Sequence, residues 1–255
     1  MEAWRSAIAS SSEKEIRVRG YNVTDLMERA TFADMVFLLH QGELPTPEKR
    51  KLLDSILISV ADHGSGAPSC ATSRLVASGN RQSLSAAIAA GVLAIGDEHG
   101  GAGSLCMEMI AAGIQRAAKE SLPLEETAAR VVAEYRERRV NLPGIGHRWH
   151  SVDPRTAVLF DQARASGLAG DGIRFISAIE TAVKEKIKPL PINVDGALAA
   201  VLHDLGFPPA AGKLFFIIGR VAGLSAEVQE EYQREKAMRI RIPVVYDGVP
   251  PRSLD

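Results

Sequence analysis

Apolar residues in this chain recur at intervals of three and four positions almost from end to end, and this spacing constrains the fold more than any other feature. From Thr24 to Leu39, for example, a series of apolar side chains falls on one face of a helix. Alternation of polar and apolar residues, which indicates a half-buried strand, is scarce, and only segments 17–21 and 240–246 look extended. The pattern predicts an all-helical fold.

Glycine, proline and capping residues divide this pattern into separate helices. Thr24 is the predicted N-cap of the first helix, and Thr46 followed by Pro47 begins a second helix that runs to about Asp62. The other helices are predicted at 69–78, 82–95, 103–119, 124–138, 154–166, 172–184, 196–205, 210–223 and 226–236.

The composition is that of an ordinary globular protein, with 46% hydrophobic residues and a net charge of −1 over 255 residues. This balance argues against a nucleic-acid partner, which normally requires a basic surface. Two cysteines, Cys70 and Cys106, fit a reducing compartment, and the N-terminal stretch lacks the apolar core of a signal peptide. The longest apolar run, 84–95, is too short to cross a bilayer and indicates a buried helix. We therefore expect a soluble, cytoplasmic protein without a membrane partner.

Glycines and histidines gather at the joints between the predicted helices. His63, His99 and His147 each lie beside a glycine, and Asp195 directly precedes Gly196. Glycine lets the backbone approach a ligand closely, and a helix that begins after such a joint offers N–H groups and a positive dipole end. Two histidines and a carboxylate on separate joints suit a reaction that moves protons at a carbon next to a carbonyl group. His99 would then donate to the carbonyl oxygen on which charge develops.

Structural roles explain the same residues when each is considered singly. Asp195 stands before a predicted helix, where an aspartate most often serves as the N-cap. A histidine beside glycine is commonly a hydrogen-bonded structural residue. His147 and His150 are three positions apart, but no cysteine or carboxylate follows at matching spacing, so no metal site is predicted. Spacing alone leaves the catalytic and the structural interpretations open.

Short motifs at the joints follow one another in a definite order along most of the chain. In that order they are Gly42-Glu43-Leu44-Pro45, Ala61-Asp62-His63-Gly64, His99-Gly100-Gly101-Ala102, Pro143-Gly144-Ile145-Gly146-His147-Arg148, Asp153-Pro154-Arg155, Asn193-Val194-Asp195 and Gly219-Arg220-Val221-Ala222-Gly223. In type and order they resemble the motifs of the citrate synthase superfamily. Any one of them is a weak signal, but the ordered series is a strong one.

The resemblance implies an all-α, citrate synthase-like fold with a large helical domain and a smaller one. Residues 1–141 and 189–255 would form the large domain, and residues 142–188 the small domain with its CoA-binding joint. It also implies a homodimer or a higher even oligomer that binds an acyl-CoA and a 2-oxo acid. The CoA thioester would be a substrate, and neither a metal nor another cofactor is implied.

The resemblance also implies roles for several of the motif residues. Asp195 would move the proton at the acetyl methyl carbon, His99 would stabilise the enol, and His147 would exchange a proton with the hydroxyl oxygen of the adduct. Substrate carboxylates would be held by His63, Arg148 and Arg155. The backbone that lies against CoA would be Leu142, Pro143, Gly144, Ile145 and Gly146.

Within the superfamily, the chain resembles citryl-CoA lyase and the lyase module of ATP-citrate lyase more than it resembles the synthases. It is shorter than typical synthases, and Ile242-Pro243 stands where they carry a citrate-binding Arg-Pro pair. Whether Arg241 or Arg252 replaces that arginine is open. One residue argues against a lyase: His99 matches the synthases better than it matches the ATP-citrate lyase module.

The implied reaction is retro-Claisen cleavage of citryl-CoA, or of a close 3-hydroxy-carboxyacyl-CoA, to acetyl-CoA and oxaloacetate. Two alternatives stay open. One is a short citrate or methylcitrate synthase that condenses an acyl-CoA with oxaloacetate. The other is a non-catalytic helical subunit that binds CoA.

Overall fold

The computed structural model describes residues 3–147 and 151–253, and this part of the chain is mostly helical. Its helices are α1 (Val23–Arg29), α2 (Phe32–Gln41), α3 (Pro47–Ala61), α4 (Pro68–Gly79), α5 (Leu84–Leu93), α6 (Ala102–Glu120), α7 (Leu124–Glu137), α8 (Pro154–Ala165), α9 (Asp171–Lys186), α10 (Val194–Asp204) and α11 (Ala211–Arg234). The all-helical prediction is confirmed. The bounds predicted for α4 through α10 agree with the observed helices to within two residues at either end.

A small antiparallel sheet near the N-terminus is the only one in the described residues. Its strands, β1 (Ala9–Ser11), β2 (Ile16–Val18) and β3 (Tyr21–Asn22), lie in the order β1-β2-β3. The extended segment predicted at 17–21 is therefore confirmed. The second extended segment, predicted at 240–246, forms no strand, because no neighbouring strand pairs with it, and nearly all of it is exposed.

The helix predicted to begin at Thr24 is shorter than expected and has a different cap. Asn22 is the N-cap of α1, since its side-chain oxygen accepts a hydrogen bond from the N–H of Thr24 at 3.1 Å. The chain then leaves the helix at Ala30, and a reciprocal capping box between Thr31 and Asp34 begins α2. Thr24 as the N-cap was wrong because the Asn22 carboxamide, two residues earlier, accepts the N–H of Thr24 itself.

The two helices predicted at 210–223 and 226–236 form one continuous helix, α11. Gly223, which suggested the break, lies inside the helix where α11 crosses α3. A Cβ at this position would lie 2.1 Å from the carbonyl oxygen of Ala61. The glycine therefore permits close packing and does not end the helix. By contrast, Thr46 caps α3 with Pro47 in its first turn, as predicted.

Helix α5, the apolar run expected to be buried, is largely exposed in the single chain. Only Ala87 and Gly91 are buried, while Leu84 is 56% and Leu93 84% exposed. A Cβ on Gly91 would meet the hydroxyl of Ser73 at 2.1 Å, so the buried face packs tightly on α4. The prediction of a buried helix was wrong because small residues bury only one narrow face of α5.

The core is centred on α10, in which residues 197–202 are fully buried. Helices α6, α8, α9 and α11 pack around it. Complete burial of a leucine such as Leu198 stabilises the fold by about 2 kcal/mol, so α10 is held firmly.

Within the described residues, no helix combines the length and the apolar character needed to cross a membrane. The division into domains at 142 and 188 stays a prediction.

Candidate active site

Backbone hydrogen bonds bring the glycine-rich joint before His147 against the joint that carries Asp195. The N–H of Asn193 donates to the carbonyl oxygen of Gly144 at 3.0 Å, and the Asn193 side chain donates to the carbonyl oxygen of Gly146 at 2.8 Å. In return, the N–H of Gly146 donates to the carbonyl oxygen of Pro191 at 2.7 Å. Three hydrogen bonds thus join the two joints, although 47 residues separate Gly146 from Asn193.

Glycine at position 144 is required by this close approach. Gly144 has a φ of +78°, and a Cβ there would lie 2.6 Å from the Cα of Gly196 and 2.7 Å from the sulfur of Cys106. No other residue type fits both the backbone conformation and the space. The predicted CoA-binding joint thus lies directly on the first turn of α10.

Asp195 occupies the first turn of α10 but does not cap the helix. Asn193 is the N-cap, and its side-chain oxygen accepts a hydrogen bond from the N–H of Gly196 at 3.1 Å. The capping interpretation of Asp195 was therefore wrong. Its Oδ1 atom is buried and has no hydrogen-bond partner among the described residues. A buried carboxyl oxygen without a partner points to a chemical role for Asp195.

Burial raises the pKa of Asp195 to about 6. The guanidinium groups of Arg155 and Arg220 oppose this shift, and the negative charge of Asp153 adds to it. Since the cost of burying the charged form dominates, the carboxyl group exchanges its proton near neutral pH. Such a group can act as a general acid or as a general base.

His99 is held in one tautomer by the start of α4. The backbone N–H of Ser69 donates to Nε2 of His99 at 3.3 Å, and the Ser69 hydroxyl lies 2.9 Å from the same nitrogen. Because an amide N–H can only donate, Nε2 presents its lone pair, and the ring proton is on Nδ1. The Nδ1–H group is then a donor of the kind that stabilises an oxyanion.

Arg220 lies beside His99, buried to 2% exposure. Its Nε donates to the carbonyl oxygen of Val60 at 2.8 Å and its Nη1 to the Ser69 hydroxyl at 3.2 Å. The guanidinium also stacks 4.8 Å from the ring of Phe216, which in turn lies 5.8 Å from the His99 ring. Among the described residues no carboxylate forms a salt bridge with Arg220, and its buried positive charge acts on the Asp195 carboxyl group.

Ser69 and Arg220 are functional candidates that the sequence reasoning did not single out. Arg220 belongs to one of the motifs that carry the resemblance, but no role was predicted for it. An arginine on the apolar face of a predicted helix is itself a signal, because such residues are rarely buried without a partner. No comparable signal marks Ser69, whose role depends on a contact 30 residues away.

The histidines at positions 63 and 147 come together, although α4 through α7 separate them in sequence. Their ring centroids are 6.0 Å apart, with the rings nearly perpendicular. His63 stands in the turn after α3, where the Asp62 carboxylate accepts a hydrogen bond from the N–H of Gly64 at 2.6 Å. The turn fixes the joint and leaves the His63 side chain exposed, beside His147.

Arg155 lies near the site but directs its guanidinium to Asp153. Nε and Nη2 donate to the two Asp153 oxygens at 2.9 and 2.8 Å, and Nη1 donates to the Ser59 carbonyl oxygen at 3.3 Å. Its role in binding a substrate carboxylate stays a prediction.

The other arginines considered from the sequence as substrate ligands are Arg148, Arg241 and Arg252. Arg148 lies outside the described residues. Arg241 and Arg252 are exposed, and none of the described contacts joins them to this site.

The described residues contain one set of side chains spaced for a cation, at Asp62, Cys70 and Glu227, whose ligand atoms all lie within 4.8 Å of one another. Other side chains of the chain already interact with these groups. Glu227 pairs with Arg74 at 2.5 Å, and the Cys70 thiol lies 3.5 Å from Asp62. Burial and the Asp62 charge raise the pKa of the thiol, which disfavours the thiolate that a metal would need. The other pair considered from the sequence, His147 with His150, includes a residue outside the described ranges.

Comparison with known proteins identifies the relatives of the chain. A family model described as "Citrate synthase, C-terminal domain" matches residues 1–51 and 45–241. The structure superposes on citryl-CoA lyase from Hydrogenobacter thermophilus with a TM-score of 0.90 and 39% identity, covering 100% of this chain and 98% of that one. The match to ATP citrate lyase from Methanothrix soehngenii in complex with citrate and coenzyme A has a TM-score of 0.78 and 23% identity, over 97% of this chain and 42% of that one. This second likeness shows the fold alone.

Among curated sequences, the 2-methylcitrate synthase of Shewanella oneidensis is 30% identical over 225 residues, which is 87% of this chain and 56% of that protein. The chain thus spans about half the length of the curated relatives it matches. The predicted citrate synthase-like fold and the predicted resemblance are both confirmed.

Proposed function

This chain belongs to the citrate synthase family, and on that basis we propose that it is a carbon–carbon lyase that cleaves citryl-CoA, or a close 3-hydroxy-carboxyacyl-CoA, to acetyl-CoA and oxaloacetate. The observation that carries the proposal is the match to a citryl-CoA lyase over essentially the whole of both chains. The 2-methylcitrate synthase and the citrate synthase among the curated relatives are, in contrast, matched over only 56% and 53% of their length. The site geometry supports the same chemistry.

In the proposed reaction, His147 takes the proton of the substrate hydroxyl group. The bond between the hydroxyl-bearing carbon and the methylene carbon next to the thioester breaks, and its electron pair moves toward the thioester carbonyl. His99 donates from Nδ1 to that oxygen and stabilises the enol. Asp195 then delivers a proton to the methylene carbon, which becomes the methyl group of acetyl-CoA. Exchange with solvent returns the proton gained by His147 to Asp195.

The environment of Asp195 supports its role as the acid in this direction. Cleavage needs a protonated carboxyl group at the start of each turnover, and the raised pKa of about 6 makes that form accessible near neutral pH. A substrate that covers the group would exclude water and favour the neutral form further. The reverse condensation would instead begin with the carboxylate acting as a base.

The positive groups around the site support the binding of a polycarboxylate. Arg220 lacks a carboxylate partner among the described residues and is buried next to His99. We assign it one carboxylate of the substrate, and His63 and Arg155 the others. An arginine in such a position offers bidentate hydrogen bonds to a carboxylate. Residues 142–146 would hold the CoA chain through their backbone, and the chemistry requires no further cofactor.

A short citrate or methylcitrate synthase is the second candidate, supported by the likeness to 2-methylcitrate synthase. Both enzymes share the carbon–carbon step. A synthase must in addition admit water to hydrolyse the thioester, whereas a lyase must keep water away from it. The products therefore distinguish the two functions directly.

The test is to incubate the purified chain with citryl-CoA and identify the products by mass spectrometry. We expect acetyl-CoA and oxaloacetate in equal amounts. Citrate with free CoA would instead establish the synthase. Unchanged substrate would exclude both with this acyl group, and a rise in melting temperature with CoA esters would then indicate the non-catalytic subunit. Asp195→Asn and a sample without protein serve as controls for spontaneous breakdown.

We also propose that the chain forms a homodimer or a higher even oligomer and works in the cytoplasm. The uncovered apolar face of α5, with Leu84 and Leu93 exposed, supports a protein partner on that side. The two buried free cysteines are compatible with a reducing compartment. Light scattering of the purified chain tests the assembly, and a monomer at micromolar concentration would contradict it.

A further inference from the structure

One fully buried carboxylate, that of Asp153, connects two of the joints that form the proposed site. It is the N-cap of α8 and accepts three hydrogen bonds from Arg155, from the backbone N–H at 3.1 Å and from the side chain at 2.9 and 2.8 Å. Its Oδ2 atom also accepts the backbone N–H of Val194 at 3.0 Å. Val194 is the first residue of α10, directly before Asp195.

This arrangement exceeds what a helix cap requires. A cap needs one acceptor for its own helix, whereas Asp153 also accepts from the first turn of a second helix. It is 0% exposed and ionised, because the hydrogen bonds and charge of Arg155 and the charge of His147 outweigh burial and hold its pKa below the ordinary value. A buried negative charge is thus held close to the two residues proposed to move protons.

We propose that Asp153 is a positioning residue for the proposed reaction: it fixes the guanidinium of Arg155 and the first turn of α10, and so sets both the place of the Asp195 carboxyl group and the charge that surrounds it. The inference rests on the proposed function. Asp153 itself touches no reacting atom.

Titratable groups near the start of α10 lie on four of the helices that pack on it. Arg155 and Asp153 lie on the side of α8, Arg220 on α11, and the neutral thiol of Cys106 on α6. From α9, the Glu180 carboxylate accepts the N–H of Ile192 at 2.8 Å, on the same joint. Within residues 3–147 and 151–253, the pair of Asp153 and Arg155 combines a charge near Asp195 with a hydrogen bond to the first turn of α10.

The experiment is a titration of Asp195 by carbon NMR in the ligand-free full chain with labelled aspartate, using Asp195→Asn to assign the signal. In Asp153→Asn, a negative charge is lost and Arg155 is released, and both changes favour the Asp195 carboxylate. We expect the midpoint to fall by about 1 pH unit. In Arg155→Gln, which leaves Asp153 unpaired, we expect the midpoint to rise. If Asp153→Asn does not fold, the Arg155→Gln variant is the test: a raised Asp195 midpoint would support the inference, and an unchanged one would contradict it.

Two matched controls separate positioning by charge from a general loosening of the joint. Thr156→Val removes the hydrogen bond from its hydroxyl to the Ile192 carbonyl at 3.0 Å without changing charge. Glu180→Gln removes a charge but keeps an acceptor for the Ile192 N–H. Both should leave the Asp195 midpoint within a few tenths of a pH unit of the wild type. Shifts in the controls as large as in Asp153→Asn, or no shift in the folded Asp153 and Arg155 variants, would overturn the inference.

The activity profile provides a second readout. In Asp153→Asn, the pH at which cleavage of citryl-CoA declines should move down together with the NMR midpoint, while Thr156→Val lowers stability without moving it. Because the NMR titration needs no substrate, it tests the inference even if citryl-CoA is not cleaved. A wild-type protein without turnover would contradict the proposed function, and unmoved midpoints would contradict the role of Asp153.

Discussion

The N–H group of Ser69 donates to Nε2 of His99, so the first turn of α4 decides which ring nitrogen of His99 carries the proton. The helix supplies this donor without distortion, because amides in a first turn have no partner within the helix. The Ser69 hydroxyl reaches the same nitrogen and also accepts from Arg220. One residue thereby links the proposed oxyanion donor to the proposed carboxylate-binding arginine.

Ser69→Ala should lower kcat for citryl-CoA cleavage about tenfold, the effect of losing one to two net hydrogen bonds. The backbone donor to His99 remains, so the tautomer is kept and activity is not abolished. Ser73→Ala is the matched control, since the Ser73 hydroxyl is buried one turn further along α4 and has no hydrogen-bond partner in the described chain. Steady-state kinetics of both variants checks this. Equal kcat values for the two would show that the Ser69 hydroxyl has no part in the reaction.

Asp195→Asn should reduce turnover at least about 100-fold, because the group that moves the proton is lost. The same change should stabilise the fold near neutral pH, since it removes a charge that burial disfavours. The sign follows from the raised pKa: the carboxyl group contributes most stability while protonated, below about pH 4, and loses this contribution as the pH rises through 6. The gain on substitution therefore grows from near zero at pH 4 to at most about 3 kcal/mol at pH 7.5.

Urea unfolding of wild type and variant at several pH values measures this difference. Asp161→Asn provides the control, because the Asp161 side chain is 75% exposed and should show no comparable dependence. A stability difference between Asp195→Asn and wild type that does not change with pH would mean that Asp195 titrates normally in the folded chain.

The cleavage rate should decline as the pH rises, because the proposed acid must be protonated. For kcat/KM, which reports the free enzyme, the decline should be centred near pH 6. For kcat it should lie at higher pH, since bound substrate excludes water from Asp195. Condensation of acetyl-CoA with oxaloacetate should show the opposite trend over the same range. A cleavage rate that rises steadily from pH 6 to pH 8 would contradict the assignment of Asp195 as the acid.

Local signals predicted the parts of the fold that depend on local chemistry. Thr46 with Pro47 caps α3 as expected, and the helical periodicity located α4 through α10. The glycine-rich joints between the helices were also recognised from the sequence. These features follow from backbone geometry within a few residues, which a single sequence records.

The errors arose where a distant contact decides the outcome. Gly223 resembled a helix end, but the carbonyl of Ala61 occupies the space that a side chain would need. Asp195 resembled an N-cap, but Asn193, two positions earlier, is an equally good capping residue. The hydrogen bond from Asn193 to the 144–146 loop selects Asn193 as the cap. The exposure of α5 depends on what covers its free face, which one sequence does not record.

The contact between Gly144 and Gly196 provides a last prediction, on the joint itself. Gly144→Ala would place a methyl group 2.6 Å from the Gly196 backbone in a left-handed conformation. We expect a loss of about 2–4 kcal/mol in the free energy of unfolding, from overpacking and backbone strain together. Separation of the two joints would also move His147 away from Asp195, so kcat should fall at least about tenfold.

Gly146→Ala is the control that isolates backbone strain from crowding. Gly146 has a φ of +94°, but the atom closest to an added Cβ is 3.9 Å away, so only strain opposes the substitution. This variant should lose about 1–2 kcal/mol and retain most of its kcat. Urea unfolding and turnover measured in parallel compare the two. If both variants lost the same stability and activity, the glycine at 144 would serve only its backbone conformation, and the close approach of the joints would not be what holds His147 and Asp195 together.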